Sequence, residues 1–203
     1  MGTELYLKLL PLCTISALKT YINSYFGIDP VDVDSVAELF VEETIKKGDF
    51  YLRSEQICEK MSFIESGFVR VFTEVNDKEV TQWIGSKGQF ITDLSSFMFD
   101  QRARWHIQAL TDCKVYTIRK AAYLQLNQQV NNWPQLEKQF IAACFVTLEN
   151  RVFTHLAMSA EERYRYLLEQ NKELFNQVPQ QYIASMLGMT PETFSRIRSK
   201  MIS

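Results

Sequence analysis

The side chains best able to recognise another molecule lie in the last fifteen residues, where polar groups repeat at helical spacing. Glu192 and Arg196 are four residues apart, so both fall on one face of a helix. A carboxylate can accept a hydrogen bond from a cytosine amine, and a guanidinium can donate two to guanine. The pair therefore has the hydrogen-bonding groups that a helix needs to contact DNA bases. The residues predicted to contact DNA are Thr190, Glu192, Thr193, Ser195, Arg196, Ser199 and Lys200.

Two short helices are predicted to position these side chains. Ala184 is the small residue needed where two helices cross closely, and Gly188 supplies a turn with positive φ. Thr190 caps the second helix, and Pro191 follows in its first turn, where a missing N–H costs nothing. The apolar residues of the pair are Ile183, Met186, Leu187, Phe194 and Ile197. This pattern predicts a helix-turn-helix, whose second helix enters the DNA major groove, with an ordinary helical hairpin as the alternative.

The composition shows that any DNA binding must be local. The chain has 203 residues, of which 46% are hydrophobic and 23% charged, a balance typical of a globular protein. The formal net charge is −2, so no overall basic field exists to hold nucleic acid. Residues 189–203 carry Arg196, Arg198 and Lys200 against Glu192, a local charge of three minus one, or +2.

Metal and redox chemistry are not predicted. The four cysteines are scattered, with no CxxC or other ligand spacing, and only His106 and His155 could supply imidazole ligands. A three-histidine site inside a jelly roll is therefore impossible, and we expect neither a metal nor an enzyme. Cys58 and Cys113 are interpreted as strand residues, with a redox sensor as the alternative.

The termini and the apolar runs indicate where the protein works. The first residues lack the basic region of a signal peptide, so we expect a cytoplasmic protein with reduced cysteines. No apolar run approaches the roughly 18 residues of a membrane span, so no membrane partner is expected.

Helical patterns flank a β-rich region. From Glu43 to about Ile118, short apolar runs alternate with turn residues, which predicts an antiparallel barrel or jelly roll. The predicted strands are Phe50–Leu52, Ile57–Cys58, Met61–Ile64, Phe68–Thr73, Val80–Ile84, Phe90–Ile91, Trp105–Leu110 and Lys114–Ile118. A short helix is predicted over residues 35–41, and another over residues 119–130.

A long helix is predicted from about Gln135 to Ala157. It is apolar on much of its circumference, so one side should pack on the protein and the other on a second copy of the chain. The alternative is a buried core helix of a monomer. A heptad-like subset comprises Ile141, Phe145, Leu148, Val152 and then His155 or Leu156.

The predicted architecture has four parts and is of the α+β class. The helix should end near Met158, where Ser159 and Glu162 can form a reciprocal capping box for a new helix. The parts are an N-terminal helical segment (1–33), an antiparallel jelly-roll barrel (34–130), a long dimerisation helix (131–158) and a C-terminal helix-turn-helix domain (159–203).

This order of parts resembles the Crp/Fnr family of bacterial transcription regulators over about residues 34–203. Glu192-Thr-Phe-Ser-Arg196 matches the family's Glu-x-x-Ser-Arg pattern, and Gln181-x-Ile-Ala-x-x-Leu-Gly188 matches the preceding helix. Residues 63–72 resemble the start of the cyclic nucleotide-binding fold. The resemblance implies that Glu192, Ser195 and Arg196 read bases. It also implies a homodimer through residues 135–157 on a double-stranded DNA operator, with RNA polymerase as a further partner.

The resemblance fails at the cyclic AMP cassette. Where those sensors have Gly-Glu-Leu, this chain has Thr92-Asp93-Leu94, and the position of their phosphate-binding Arg falls on Ala103. Leu148 and Glu149 stand at the adenine-contacting pair. A phosphate needs a cationic fork and N–H groups in one place, so the effector is unidentified and cyclic AMP is not expected. The candidate effector pocket comprises Thr92, Asp93, Leu94, Arg102 and Arg104.

Three alternatives stay open at the sequence level. Asp93 with Arg102 or Arg104 could form a simple surface ion pair, and Trp83 and Trp105 could line a ligand pocket or pack in the core. The whole chain could instead be a ligand-binding or protein-interaction module with a vestigial helix-turn-helix. The sequence ends at Ser203, so contacts from the β-hairpin wing of many relatives are not expected.

Overall fold

The structure is a computed structural model that describes residues 17–20, 22–23 and 25–202. The rest of the predicted N-terminal helical segment lies outside the described residues. Residues 17–20, 22–23 and 25–26 are helical, and helix α1 spans Pro30–Glu38. The helix predicted over residues 35–41 therefore begins and ends earlier than expected, and the predicted boundary at residue 33 falls inside α1.

In the residues that the structure describes, eight strands form two four-stranded antiparallel sheets, which confirms the predicted jelly roll. The sheets have the orders β1-β8-β3-β6 and β2-β7-β4-β5. The strands are β1 (Val41–Ile45), β2 (Phe50–Leu52), β3 (Lys60–Ser66), β4 (Val69–Val75), β5 (Lys78–Gly85), β6 (Phe90–Ile91), β7 (His106–Ala109) and β8 (Cys113–Arg119). The strand predicted at Ile57–Cys58 is only an isolated bridge between Ile57 and Arg102.

Left-handed turn residues determine how the strands connect. Asn76 and Asp77 have φ of 51° and 59°, so a two-residue turn with the twist of a type I′ hairpin joins β4 to β5. Gly67, with φ of 92°, precedes β4. A Cβ at Gly67 would lie 2.5 Å from the Asp112 carbonyl oxygen, so this close approach of two backbones requires glycine.

Seven more helices follow α1 in the described part of the chain. They are α2 (Leu94–Phe99), α3 (Lys120–Gln129), α4 (Trp133–Ala157), α5 (Ala160–Gln170), α6 (Lys172–Gln177), α7 (Gln180–Met186) and α8 (Pro191–Ile202). The predictions of α3 and of the long helix α4 are confirmed. Helix α2 and strand β1 were not predicted.

Three apolar clusters hold these elements together. One fills the barrel between the two sheets. A second packs the N-terminal helices and α2, α3 and α4 on the outer face of β3 and β8, through residues such as Phe63 and Tyr116. The third is the core of the C-terminal helices, and it includes Phe68, Ile84 and Leu110 of the barrel. The C-terminal helices therefore share a core with the end of the barrel.

Helix α4 has a packed side and an open side, as its sequence predicts. Trp133 and Phe140 are buried in the second cluster, and Ile141 packs against it half-buried. Ile141 therefore belongs largely to the protein side of the helix. The apolar residues left exposed are Phe145, Val146, Leu148, Val152, Phe153 and Leu156.

The predicted end of α4 and the predicted capping box at the start of α5 are confirmed. The Ser159 N–H donates to Glu162 Oε2 at 2.7 Å, and the Glu162 N–H donates to Ser159 Oγ at 3.3 Å. The Ser159 hydroxyl and N–H hold the pKa of Glu162 below its usual range. This reciprocal cap satisfies donors at the start of α5 that would otherwise lack partners, so a new helix begins directly after Ser159.

Candidate nucleic-acid interface and effector segment

Helices α7 and α8 cross closely and bury the residues predicted to face inward. Phe194 and Ala184 are fully buried, and Ile197 is 7% exposed. Gly188 has a φ of 67°, which allows the sharp turn between the helices. Burying one side of α8 leaves its other side toward solvent, so the helix-turn-helix geometry is confirmed.

The start of α8 is capped as predicted. Thr190 Oγ1 accepts a hydrogen bond from the Thr193 N–H at 3.3 Å. The N–H of Glu192 itself and the Thr190 hydroxyl lower the pKa of Glu192. The Glu192 carboxylate is therefore firmly ionised at neutral pH and can act only as a hydrogen-bond acceptor.

The outward face of α8 carries the residues predicted to contact DNA. Thr193 is half-buried, and Thr190, Glu192, Ser195, Arg196, Ser199 and Lys200 are exposed. Glu192 and Arg196 share this face, and no ion pair joins them among the described residues. Lys200 instead pairs with Glu161 of α5 at 3.0 Å, and Glu161 also binds Arg165 at 2.7 Å.

The helix-turn-helix is docked on the barrel through α7, which the sequence did not predict. Arg70 of β4 is 1% exposed, and its guanidinium lies 4.1 Å from the ring centroid of Phe72 and 3.8 Å from that of Tyr182. Arg70 also pairs with Glu79 at 2.6 Å and donates to Thr81 Oγ1 at 2.9 Å. A cation surrounded by two rings, a carboxylate and a hydroxyl is fully compensated, so it can be buried between strand and helix.

A second contact of α7 is made by the backbone of β5. The Thr81 N–H donates to Ser185 Oγ at 2.9 Å. The signal that could have found this docking is Arg70 itself, a cation inside the apolar run Phe68–Phe72. The sequence gives no means of pairing that cation with Tyr182, which lies more than a hundred residues away.

In the segment that contains the candidate effector pocket, the buried polar side chains form hydrogen bonds within the protein. Asp93 is 3% exposed and accepts hydrogen bonds from the N–H groups of Ser96 and Arg104, both at 3.0 Å. It therefore caps α2 and fixes the following loop. The Thr92 hydroxyl donates to the Lys60 carbonyl oxygen at 3.1 Å. The interpretation of Asp93 as a surface ion pair is wrong, because a buried carboxylate with two N–H donors is already satisfied.

The other members of this segment lie on the surface. Arg102 is exposed. Its guanidinium lies 3.1 Å from the Glu55 carbonyl oxygen and 3.9 Å from the Glu55 carboxylate. The Arg104 guanidinium lies 5.3 Å from the centroid of Trp105, and Leu94 is 38% exposed. Ala103 between the two arginines is fully buried. Trp83 and Trp105 pack half-buried against the barrel core.

Neither a metal cluster nor a membrane-spanning helix occurs in the described part of the chain. No group of three or more His, Cys, Asp or Glu side chains there could hold a metal ion. No helix there is long and apolar enough to cross a bilayer.

Comparison with known proteins tests the fold. Residues 42–130 match the cyclic nucleotide-binding domain family, a range that runs from β1 to the end of α3. No curated protein sequence matches the chain. FixK2 of Bradyrhizobium japonicum matches with a TM-score of 0.66 and 18% identity, over 80% of this chain and 84% of that one.

Two further structures give the same result. The c-di-GMP-responsive global regulator CLP of Xanthomonas campestris has a TM-score of 0.64 and 15% identity, over 85% of this chain and 91% of that one. A protein of Eubacterium rectale assigned to the Crp/Fnr transcriptional regulators has a TM-score of 0.66 and 16% identity, over 90% of this chain and 88% of that one. The chain has the Crp/Fnr fold. The resemblance predicted from the motifs of α7 and α8 is confirmed at this level, and both CLP and the Eubacterium rectale protein are described as regulators.

Within the Crp/Fnr fold of this chain, each described part takes a definite place. The jelly roll is the part that matches the cyclic nucleotide-binding domain family, and α7 and α8 form the helix-turn-helix. The identities of 15–18% establish the fold alone, so DNA binding and the effector are matters for proposal.

Proposed function

We propose that this protein is a sequence-specific DNA-binding transcription regulator and not an enzyme. The observation that supports it is the exposed polar face of α8, held by a buried helix crossing and a capped first turn. Glu192 and Arg196 share that face one turn apart. The Glu192 carboxylate is a hydrogen-bond acceptor and the Arg196 guanidinium is a bidentate donor, a combination suited to a C·G base pair. Lys200 lies a further turn along, where a phosphate contact adds affinity without sequence information.

We further propose that two copies bind one operator. The exposed apolar side of α4 is suited to a second copy of the same helix, which would bring two α8 helices to one DNA duplex. A two-fold symmetric dimer reads two half-sites about one helical turn, roughly 34–36 Å, apart. The operator should therefore be palindromic.

The remaining parts of the proposal follow from this role. Regulation of transcription places the protein in the cytoplasm with DNA and RNA polymerase. The jelly roll would sense an effector other than cyclic AMP, because Ala103 is buried and the side chains of Thr92 and Asp93 are engaged internally.

Selection of binding sites from a random DNA pool tests the proposal. We expect the wild type to recover a palindrome. Arg196→Ala should relax specificity at one base pair per half-site, since a lost bidentate contact costs about 1–3 kcal/mol of discrimination. Lys172→Ala is the matched control, because it removes one exposed positive charge from α6, outside the set of residues proposed to contact DNA.

Two outcomes would contradict parts of this proposal. If the wild type recovers no palindromic site, the chain is better described as a ligand-binding or protein-interaction module with a vestigial helix-turn-helix. If Arg196→Ala selects the same sites as the wild type and Lys172→Ala, Arg196 does not read bases.

A further inference from the structure

A cleft of about 840 Å³ separates the end of the barrel from the C-terminal helices. Its walls come from the turn between β3 and β4, from β5 and the loop after it, from the middle of α4, from α5 with α6, and from Met186 of α7. Its lining includes Trp83, Lys87, Asn150, Arg151, Tyr166 and Asn171. The volume lies within the roughly 300–1,000 Å³ of small-molecule sites. The cleft is separate from the segment 92–104, no residue of which lines it.

Arg151 is a half-buried cation in this cleft without a carboxylate partner among the described residues. Its guanidinium lies 4.2 Å from the ring centroid of Trp83 and donates to the Gln82 carbonyl oxygen. Burial lowers the pKa of Arg151 to about 10, so the group is still charged at neutral pH. In the described part of the chain no carboxylate lies within 4 Å of it, although Glu173 also lines the cleft.

Arg70, which is fully buried, has more partners than the half-buried Arg151. Arg70 is paired with Glu79, hydrogen-bonded to Thr81 and stacked on two rings. Arg151 has one carbonyl and one ring, and it faces open volume. A partly desolvated cation without an anion costs free energy, and an anion entering the cleft would offset that cost through charge-assisted hydrogen bonds.

The rest of the lining describes the body of the ligand. Trp83 and Tyr166 offer ring faces from the barrel and from α5, and Tyr166 is 48% exposed. Asn150 offers amide hydrogen bonds beside Arg151. Lys87 is held by Glu65 at 3.8 Å, so it contributes at most a second, weaker cation. A planar or apolar body with one anionic group fits both the rings and the guanidinium.

We propose that this cleft binds a small aromatic anion, with a carboxylate, sulfonate or phosphate on Arg151 and its ring system beside Trp83 and Tyr166. Asn171 bridges the walls, because its side-chain amide donates to Ser86 Oγ at 3.3 Å while its oxygen caps α6. A ligand in this cleft contacts both the barrel and helices α5 and α6, which directly precede α7 and α8 in the chain. Its role as the regulator's effector rests on the proposed function, whereas its binding does not.

The test measures binding to the full-length protein without DNA. The anionic probe is 8-anilino-1-naphthalenesulfonate, and the neutral probe is N-phenyl-1-naphthylamine, which has a similar ring system without the charge. We expect saturable binding of the anion, weakened about tenfold or more by Arg151→Gln, as for loss of a hydrogen bond to a charged group. Arg119→Gln, which removes an exposed guanidinium from β8, should leave it unchanged.

The neutral probe and a second variant separate a site from a structural role. Arg151→Gln should not change binding of the neutral probe, and Arg151→Lys should retain more anion binding than Arg151→Gln because it keeps the charge. Equal anion binding by the wild type and both Arg151 variants would overturn the proposal and point to the apolar side of α4. Absence of saturable anion binding by the wild type would also overturn it. Because no DNA is present, neither result depends on whether the protein binds DNA.

Discussion

The Lys200 side chain has one partner in the protein, Glu161, and a proposed second partner in DNA, a phosphate. It forms an exposed ion pair with Glu161, and this pairing lowers the pKa of Glu161. Exposed pairs are weak, so a DNA phosphate can replace the carboxylate. We predict that Lys200→Ala weakens binding to all DNA sites alike and lowers the salt dependence by about one phosphate contact. A salt series of binding constants measures both.

Glu161→Gln is the complementary change. It removes the competing carboxylate and should strengthen DNA binding, with sequence preference unchanged. If Lys200→Ala leaves the salt slope of the wild type unaltered, Lys200 does not contact phosphate.

The side chains of the candidate effector pocket lead to a prediction about cyclic AMP binding. Ala103 is buried where the resemblance places a phosphate-binding arginine, and the carboxylate of Asp93 caps α2. We predict that calorimetry with cyclic AMP shows no micromolar binding. A micromolar Kd that Arg102→Ala or Arg104→Ala abolishes would show that a shifted cassette binds the phosphate.

At the scale of elements, helix α4 provides the next test. Its open side exposes 59% of Phe145 and 46% of Leu148, apolar surface that association would remove from water. We predict that the double variant Phe145→Glu, Leu148→Glu sediments as a monomer at micromolar concentration, whereas the wild type sediments as a dimer. Gln139→Glu, an exposed polar position of the same helix, is the control. A monomeric wild type would contradict the dimer.

The elements that the sequence predicted are those with strong local signals. Helix α4 has a long apolar stripe, and α5 and α8 have caps that are visible as Ser159 and Thr190. Strand β1 was missed because its sequence, Val-Glu-Glu-Thr-Ile, is mostly exposed and its hydrogen bonds come from pairing with β8, over seventy residues away. Helix α2 has six residues, too few for a periodic pattern, although Asp93 marked its start.

The candidate DNA interface was predictable because its signal is local to one helix. The docking of α7 on the barrel, which supports that interface, was not predictable. The exposure of Glu192 and Arg196 follows from the periodicity of one helix. The burial of Arg70 between Phe72 and Tyr182 depends on how two distant parts of the chain pack, and only the folded molecule brings them together. The cleft around Arg151 is a product of the same packing.

At the scale of the whole molecule, the docking of α7 on β5 decides where α8 points. Removing the Ser185 hydroxyl leaves the buried N–H of Thr81 without its acceptor. We predict that Ser185→Ala speeds hydrogen exchange of the Thr81 amide about fivefold, the effect of losing a hydrogen bond of about 1 kcal/mol. Amide exchange followed by NMR measures it, with Gln181→Ala, an exposed position of α7, as control. Unchanged exchange at Thr81 would show that Ser185 does not hold the docked state.

The place of β5 in its sheet gives this docking a second consequence. Strand β5 is the last strand in the order β2-β7-β4-β5, so one row of its backbone groups has no neighbouring strand. Such an edge is a template for pairing with strands of other molecules, and proteins protect it by covering it. Ser185 occupies the Thr81 N–H and α7 lies along the strand. The helix that positions α8 therefore also covers part of this sheet edge, and any state that releases α7 leaves β5 open to pairing with strands of other molecules.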